Sequence, residues 1–242
     1  MAGLLYKELK LNRFVFILFL ISELIFWTLL GCLFGLSDDD VTLKAFSLVA
    51  GVFIVISTFF SGIVESGIFS GEERKKWAYY VASTPVGVSG YIGAKYVTTL
   101  IFSMAVVLLH TLVLSAYFQL IGRCGNLTLL VVALFYIQLF MRSVEIPLVV
   151  RFGNKTGNSL KLAGLLVILI VSVVYMLFGD TSVFNNMDNF WEWLFSVLKD
   201  QEKLSTLILS IGIMTVAVLP LYYLSYRLSV KWYLKGAENY AK

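Results

Sequence analysis

Six long apolar segments fill most of this chain, and short polar gaps separate them. Because an α-helix rises about 1.5 Å per residue, each segment approaches the ~20 residues needed to cross a ~30 Å hydrocarbon core. The sequence therefore predicts an all-α membrane protein with six transmembrane helices in a single domain, residues 1–242. The predicted spans are Phe14–Leu36, Ala45–Ser66, Val97–Ile121, Leu127–Val150, Leu162–Phe178 and Leu204–Tyr226.

Composition excludes a water-soluble globular protein. Hydrophobic residues make up 59% of the 242 residues, and charged residues only 14%. A soluble domain carries about 25% charged residues, so there is too little charge here to cover a surface exposed to water. Any function must therefore be carried out within the bilayer or at its two faces.

The distribution of positive charge predicts the orientation in the membrane. Of the 19 Lys and Arg residues, 14 fall before the first span, in alternate gaps or after the last span, and Arg142 lies in the fourth span on the approach to one of these gaps. Because positive residues stay on the cytoplasmic side, both termini are predicted to be cytoplasmic, which agrees with an even number of spans. The four on the opposite side are Lys44, Arg123, Lys199 and Lys203.

Three segments outside the spans have amphipathic character. Residues 1–13 mix leucines with charges and suit a short helix on the inner surface, while residues 183–200 suit an amphipathic segment at the outer surface. Residues 72–84, in the longest cytoplasmic gap, have helical periodicity, and Pro85 ends that helix. The 72–84 helix is either an interfacial helix anchored by aromatic residues or a docking helix for a cytoplasmic partner.

Ionisable residues within the predicted spans require a partner or a function. Glu23 and Arg142 lie at similar depths, about 14 Å and 13 Å from the inner end of their spans, which makes an ion pair between spans 1 and 4 plausible. Glu145 follows Arg142 by one helical turn, so it can compete for the arginine or share it. A structural pair that holds the helices together is favoured over a polar element of a substrate path.

Motifs for chemistry are missing from the sequence. His110 is the only histidine, and with no Asp, Glu or Cys near it in sequence it is a poor metal or catalytic candidate. The chain contains no G-x-x-x-x-G-K-[ST] phosphate loop, no H-E-x-x-H and no G-x-S-x-G. We therefore expect no catalytic residue, no metal site and no ATP site of its own.

Three stretches of this sequence resemble ABC-2 type transporter permeases. The start GLLYKELKL, six spans and a long first cytoplasmic loop fit that family, and Ile146-Pro147-Leu148 followed by Arg151-Phe152-Gly153 is similar to the end of its fourth span. Permeases that export phenol-soluble modulins or give immunity to antimicrobial peptides are the most similar within it. The loop match consists of Glu72, Glu73, Trp77, Tyr80, Ser83, Thr84, Pro85 and Ala94-Lys95-Tyr96.

The resemblance implies a type V exporter in the bacterial plasma membrane. Its 1–13 helix would be a connecting helix, its 72–84 helix a coupling helix seated in an ATPase, and 183–200 a re-entrant helix pair between spans 5 and 6. Two ATPase subunits would bind ATP and Mg, and a second permease copy or paralogue would complete the transporter. The cargo would be an amphipathic peptide or another hydrophobic molecule, and no nucleic acid is implied. The implied coupling residues are Glu72, Glu73, Lys76, Trp77, Tyr80, Ser83 and Pro85.

A second class of function stays open on the residues alone. A stand-alone secondary transporter or channel would use Glu23, His110 and Arg142 as a proton or ion relay, and would need no ATPase. An intramembrane enzyme is disfavoured because no nucleophile and base are paired in the sequence.

Overall fold

The chain folds into a bundle of helices, and a computed structural model describes residues 2–34, 40–70, 75–121, 127–178 and 204–237. Every regular element in these ranges is helical. This agrees with the predicted all-α class. The helices are α1 (Ala2–Phe34), α2 (Asp40–Ser70), α3 (Lys75–Ser83), α4 (Gly87–Ile121), α5 (Thr128–Phe152), α6 (Asn154–Phe178) and α7 (Leu204–Ala237).

Five of these helices, α1, α2, α4, α5 and α7, are long and apolar enough to cross a membrane. The remaining predicted span, Leu162–Phe178, lies within α6, a helix of 25 residues. Several side chains of α6 fall outside the part of the chain that the structure describes. The chain is therefore a multi-pass membrane protein, whereas the sixth span and the cytoplasmic termini stay predictions.

The first helix is longer than its predicted span. α1 continues without a break from Ala2 to Phe34, so residues 2–13 extend the span instead of forming a separate surface helix. Between Leu4 and Leu30 the chain has no glycine or proline that would end a helix. A 33-residue helix is about 50 Å long, which exceeds the hydrocarbon core by roughly 20 Å. The predicted role as a connecting helix remains open.

The third predicted span also begins earlier than expected. α4 starts at Gly87, whose φ of +62° marks the turn after α3, and runs straight through Gly90 and Gly93. Residues 87–96, which precede the predicted span Val97–Ile121, are therefore helical, and Lys95 is a buried residue of this helix. Tertiary contacts described below keep that part of the helix in place.

Two groups of helices share the core. On one side α1 packs against α2 and α4, and on the other α5 packs along α6 and α7. α2 and α4 both contact α5 and so connect the two groups, while the short helix α3 packs on α4 and α7. We refer to the end of the bundle where α3 lies as the α3 end.

The surface of the bundle is apolar and its interior contains many polar groups. Exposed large side chains on α1 include Phe14 at 69% and Leu33 at 77% of their accessible area. This distribution is expected for a protein whose solvent is lipid. The buried polar residues are Glu8, Glu23, Ser57, Ser61, Glu65, Lys95, Thr98, Thr99, Ser103, His110, Gln138, Arg142, Glu145, Ser225 and Ser229.

Candidate functional site

The first buried polar group is an arginine cluster that joins α2 to α5. Arg142 Nε lies 2.9 Å from Glu65 Oε2, and Arg142 Nη1 lies 2.7 Å from Glu145 Oε2. Nη2 of the same guanidinium donates to the backbone oxygen of Gly62. Gln138 Nε2 donates to Glu65 Oε1 at 2.9 Å. The five donors of a guanidinium favour this multidentate arrangement, which fixes the register of two helices.

The arginine cluster is balanced in charge. Ser103 Oγ on α4 donates to Glu65 Oε1 at 2.5 Å, and Lys161 Nζ on α6 lies 3.0 Å from Glu145 Oε2. Two cations, Arg142 and Lys161, therefore face two carboxylates. Because each buried charge has a partner of opposite sign, we interpret this cluster as a structural one that connects four helices.

The predicted Glu23–Arg142 pair does not form, because Arg142 is bound to Glu65 instead. Sequence spacing gave the depth of the two residues, but α1 packs against α2 and α4, so α2 supplies the carboxylate that faces α5. Glu145 does bind Arg142, which sequence spacing allowed, but it shares the guanidinium with Glu65 and not with Glu23. Glu65 was missed, although an acidic residue one position before the end of an apolar span, Ala45–Ser66, is itself a signal for a buried partner.

The second buried polar group is a histidine cluster between α1, α2 and α4. Trp27 Nε1 donates to His110 Nδ1 at 3.1 Å, and His110 Nε2 lies 3.0 Å from the hydroxyl of Ser57. Glu23 Oε2 lies 3.8 Å from the same Nε2. His110 therefore does have an acidic neighbour, which corrects the expectation from sequence, because α1 brings it a glutamate that is remote along the chain.

The tryptophan contact decides the protonation state of this histidine. An indole N–H can only donate, so His110 Nδ1 must accept and carries no hydrogen. An imidazolium has hydrogen on both ring nitrogens, and therefore the ring in this arrangement is neutral with its hydrogen on Nε2. Glu23 thus faces a neutral donor and no formal positive charge.

The third buried polar group ties α1 to α4 at the α3 end. Lys95 Nζ lies 3.8 Å from Glu8 Oε2 and donates to the backbone oxygen of Ile68 at 2.5 Å. Lys7 lies 3.9 Å from Glu8 Oε1 and 4.7 Å from the centre of the Trp77 ring. This network connects the N-terminal part of α1 to the first turns of α4 and to α3.

The implied coupling residues on α3 and after it are divided between two faces. Trp77 is half-buried and donates from Nε1 to Tyr91 Oη at 3.3 Å, whereas Tyr80 is 60% exposed. Ser83 and Pro85 are exposed as well. Glu72 and Glu73 lie outside the described residues, as do the side chain of Lys76 and the predicted segment 183–200.

A groove opens between α1 and α2 beside the histidine cluster. Its volume is about 450 Å³, and Glu23 is the single ionisable residue among the described residues that line it. Glu23 is 5% exposed, and its buried Oε2 has no hydrogen-bond partner within the described part of the chain. The other lining residues are Phe19, Ser22, Phe26, Val49, Val52, Phe53, Ile56, Ser57, Phe60, Ile63 and Val64.

The helical bundle with several apolar spans and buried ion pairs defines a polytopic membrane protein. The chain matches the family described as ABC-2 family transporter protein over residues 3–234, and it therefore belongs to that family. Comparisons with curated proteins and with solved structures gave no match. Family membership confirms the resemblance drawn from the sequence and identifies the chain as an ABC-2 type permease, whose family works with ABC ATPase subunits in a membrane.

Proposed function

We propose that this permease is the transmembrane subunit of an ATP-driven exporter that moves amphipathic or antimicrobial peptides, or other hydrophobic cargo, out of the cell. Two ATPase subunits bind ATP and Mg, and two permeases, either copies or paralogues, form the pathway. The observation that carries the proposal is that α3 packs one face against the bundle and exposes tyrosine side chains elsewhere on its surface. Family membership supports the ATPase partner.

The inward face of α3 is anchored to the bundle. Ala78 is fully buried and Val81 is 4% exposed, and both belong to a core cluster with Tyr91 on α4 and Tyr233 on α7. Trp77 adds its hydrogen bond to Tyr91. A force applied to α3 is therefore transmitted to α4 and α7 through close packing, as rigid-body coupling requires.

Two consecutive tyrosines of α3 are exposed, and the ring of the second, Tyr80, also contacts Trp77, with 5.3 Å between ring centroids. Tyr79 is 49% exposed and Tyr80 is 60% exposed. Tyrosines of this kind are common anchors of protein interfaces, since they combine a large apolar ring with a polar tip. We assign Tyr79 and Tyr80 as the ATPase contact, with Ser83 and Pro85 beside them, and Trp77 as the residue that holds the helix in place.

The apolar character of the bundle surface and of the α1–α2 groove supports the proposed class of cargo. The bundle exposes apolar side chains along its whole length, and the groove between α1 and α2 is lined mainly by Phe, Val and Ile. A molecule that partitions into the inner leaflet can reach such a surface without crossing water. An amphipathic or hydrophobic cargo fits these surfaces better than a hydrophilic one.

The exporter assignment is tested by co-purification of the permease with the ATP-binding subunit encoded beside it. We expect Tyr79→Ala/Tyr80→Ala to lose most of the bound ATPase and the ATP hydrolysis of the complex, because interface anchors cost about 2 kcal/mol or more each. Tyr175→Ala is the matched control, since Tyr175 is 46% exposed on α6 near the opposite end. Undiminished ATPase binding by the double variant would contradict the assignment of α3.

A second candidate function is a stand-alone, ion-coupled transporter. The contact between Glu23 and His110 favours it, because a carboxylate next to an imidazole in a membrane is an arrangement found in proton relays. It predicts uptake by the purified permease in liposomes that is driven by a pH gradient with no ATPase present. Transport that requires the ATPase and is insensitive to the gradient would exclude it.

A further inference from the structure

Glu23 differs from the other buried glutamates of the described chain in the charge around it. Glu8 has Lys95 and Lys7 within 3.9 Å, Glu65 has Arg142, and Glu145 has Arg142 and Lys161. Within the described ranges, Glu23 has only the neutral His110 ring and the Ser57 hydroxyl as polar neighbours. Its negative charge is therefore not compensated by the described part of the chain.

A buried charge without a counter-charge is costly. The cost of removing a carboxylate from water is offset either by protonation of the group or by a cation with good geometry. Among the described residues, Oε2 of Glu23 has no hydrogen-bond partner; it is buried beside His110, while the residue itself lines the α1–α2 groove. A cation bound in the groove next to Glu23 would supply the missing counter-charge.

The dimensions of the groove suit an elongated ligand. Its lining residues on α2 run from Val49 to Val64, which spans about 22 Å at 1.5 Å per residue. Its volume of about 450 Å³ falls in the ~300–1,000 Å³ range of ligand sites. The wall contains four phenylalanines on two helices, so the apolar face of an amphipathic helix would lie along it in the manner of helix-in-groove recognition.

We propose that the groove between α1 and α2 binds an amphipathic peptide in helical form, and that Glu23 recognises an ammonium group of that peptide. This inference rests on the proposed peptide cargo and specifies how the permease selects it. Apolar burial along the phenylalanines supplies general affinity, while the charge-assisted hydrogen bond to Glu23 selects for a cation. His110 and Ser57 act as positioning residues that hold the carboxylate.

The test uses the full chain alone in nanodiscs of phosphatidylcholine. Two fluorescent amphipathic peptides of identical Leu/Ser sequence are compared, one with a free amino terminus and the other acetylated, with partition into empty nanodiscs subtracted. The permease should prefer the free amine by about tenfold or more, because a charge-assisted hydrogen bond is stronger than a neutral one. Dodecylamine and dodecanol are compared in the same way, so that binding of a lipid-like amine can be distinguished from binding of a peptide.

Substitutions of Glu23 test whether its carboxylate causes the preference for the free amine. Glu23→Gln should reduce the preference for the free amine to near unity while the acetylated peptide binds as before, and Glu23→Asp should retain most of it. Ser22→Ala is the matched control, because Ser22 lines the same groove and its hydroxyl is bonded to its own helix at Phe19. Unchanged amine preference in Glu23→Gln would overturn the proposal.

Two other outcomes would also overturn it. Discrimination between the alkyl compounds with no binding of either peptide would replace the peptide with a lipid-like amine. No binding at all, together with crosslinking of two Val52→Cys chains after Cys32 and Cys124 are replaced by Ser, would show that a second copy covers the groove. Because no ATPase is present, failure here is separate from failure of ATPase binding by α3.

Discussion

Arg142 Nε on α5 lies 2.9 Å from Glu65 Oε2 on α2, and both side chains are almost completely buried. This pair joins helices that are far apart in sequence, and it occupies the arginine that sequence spacing had assigned to Glu23. As a consequence, Glu23, which lines the groove, and Arg142, which connects the helices, belong to separate clusters.

The first prediction concerns this pair. Arg142→Met leaves Glu65 as a buried charge without a cation, and should lower the free energy of unfolding by about 3–5 kcal/mol. Glu65→Gln added to Arg142→Met should restore part of it, with a coupling energy of ~0.5–3 kcal/mol. Denaturation in mixed detergent micelles measures both. Arg227→Met, at an exposed position on α7, is the control that should change little. Strictly additive effects would show that the pair is not coupled.

The second prediction concerns the protonation state of His110, the one histidine in the chain. Nitrogen-15 spectra of labelled permease should show a neutral ring with its hydrogen on Nε2, because Trp27 donates to Nδ1. Trp27→Phe removes that donor and should allow the hydrogen to move between the two ring nitrogens. A spectrum of imidazolium in the unmodified protein would contradict this arrangement and would supply Glu23 with an internal cation.

The third prediction concerns the close approach of α5 and α6. A Cβ atom at Gly157 would lie 2.7 Å from the Cα and 2.9 Å from the N of Val149, and the backbone there cannot move aside. Gly157→Ala should therefore cost about 1–3 kcal/mol through overpacking. A Cβ atom at Gly164 on the same helix would meet nothing within 4 Å, so Gly164→Ala should be neutral or slightly stabilising. Equal effects of the two changes on the unfolding midpoint would refute the packing argument.

The sequence by itself determined the class of protein. The thickness of the hydrocarbon core sets the length and apolar content of a span, so five predicted spans agree with the observed helices. The family was recognised from short motifs such as Trp77 to Pro85. Helix ends were less predictable. The glycines before Lys95 do not indicate a helix in the sequence, but in the structure Tyr91, Ile92 and Tyr96 of this segment are buried in the core and Lys95 contacts Glu8.

Only the tertiary structure decided the partners of the buried charges. The depth of Glu23 or Arg142 can be calculated from helical rise, but which residue each one faces depends on the rotation of its helix and on which helices are neighbours. Those are set by packing among α1, α2, α4 and α5, which involves residues far apart in sequence. The same packing leaves Trp77 half-buried against Tyr91 and Tyr80 60% exposed, although the two rings contact each other on one nine-residue helix, 5.3 Å between centroids.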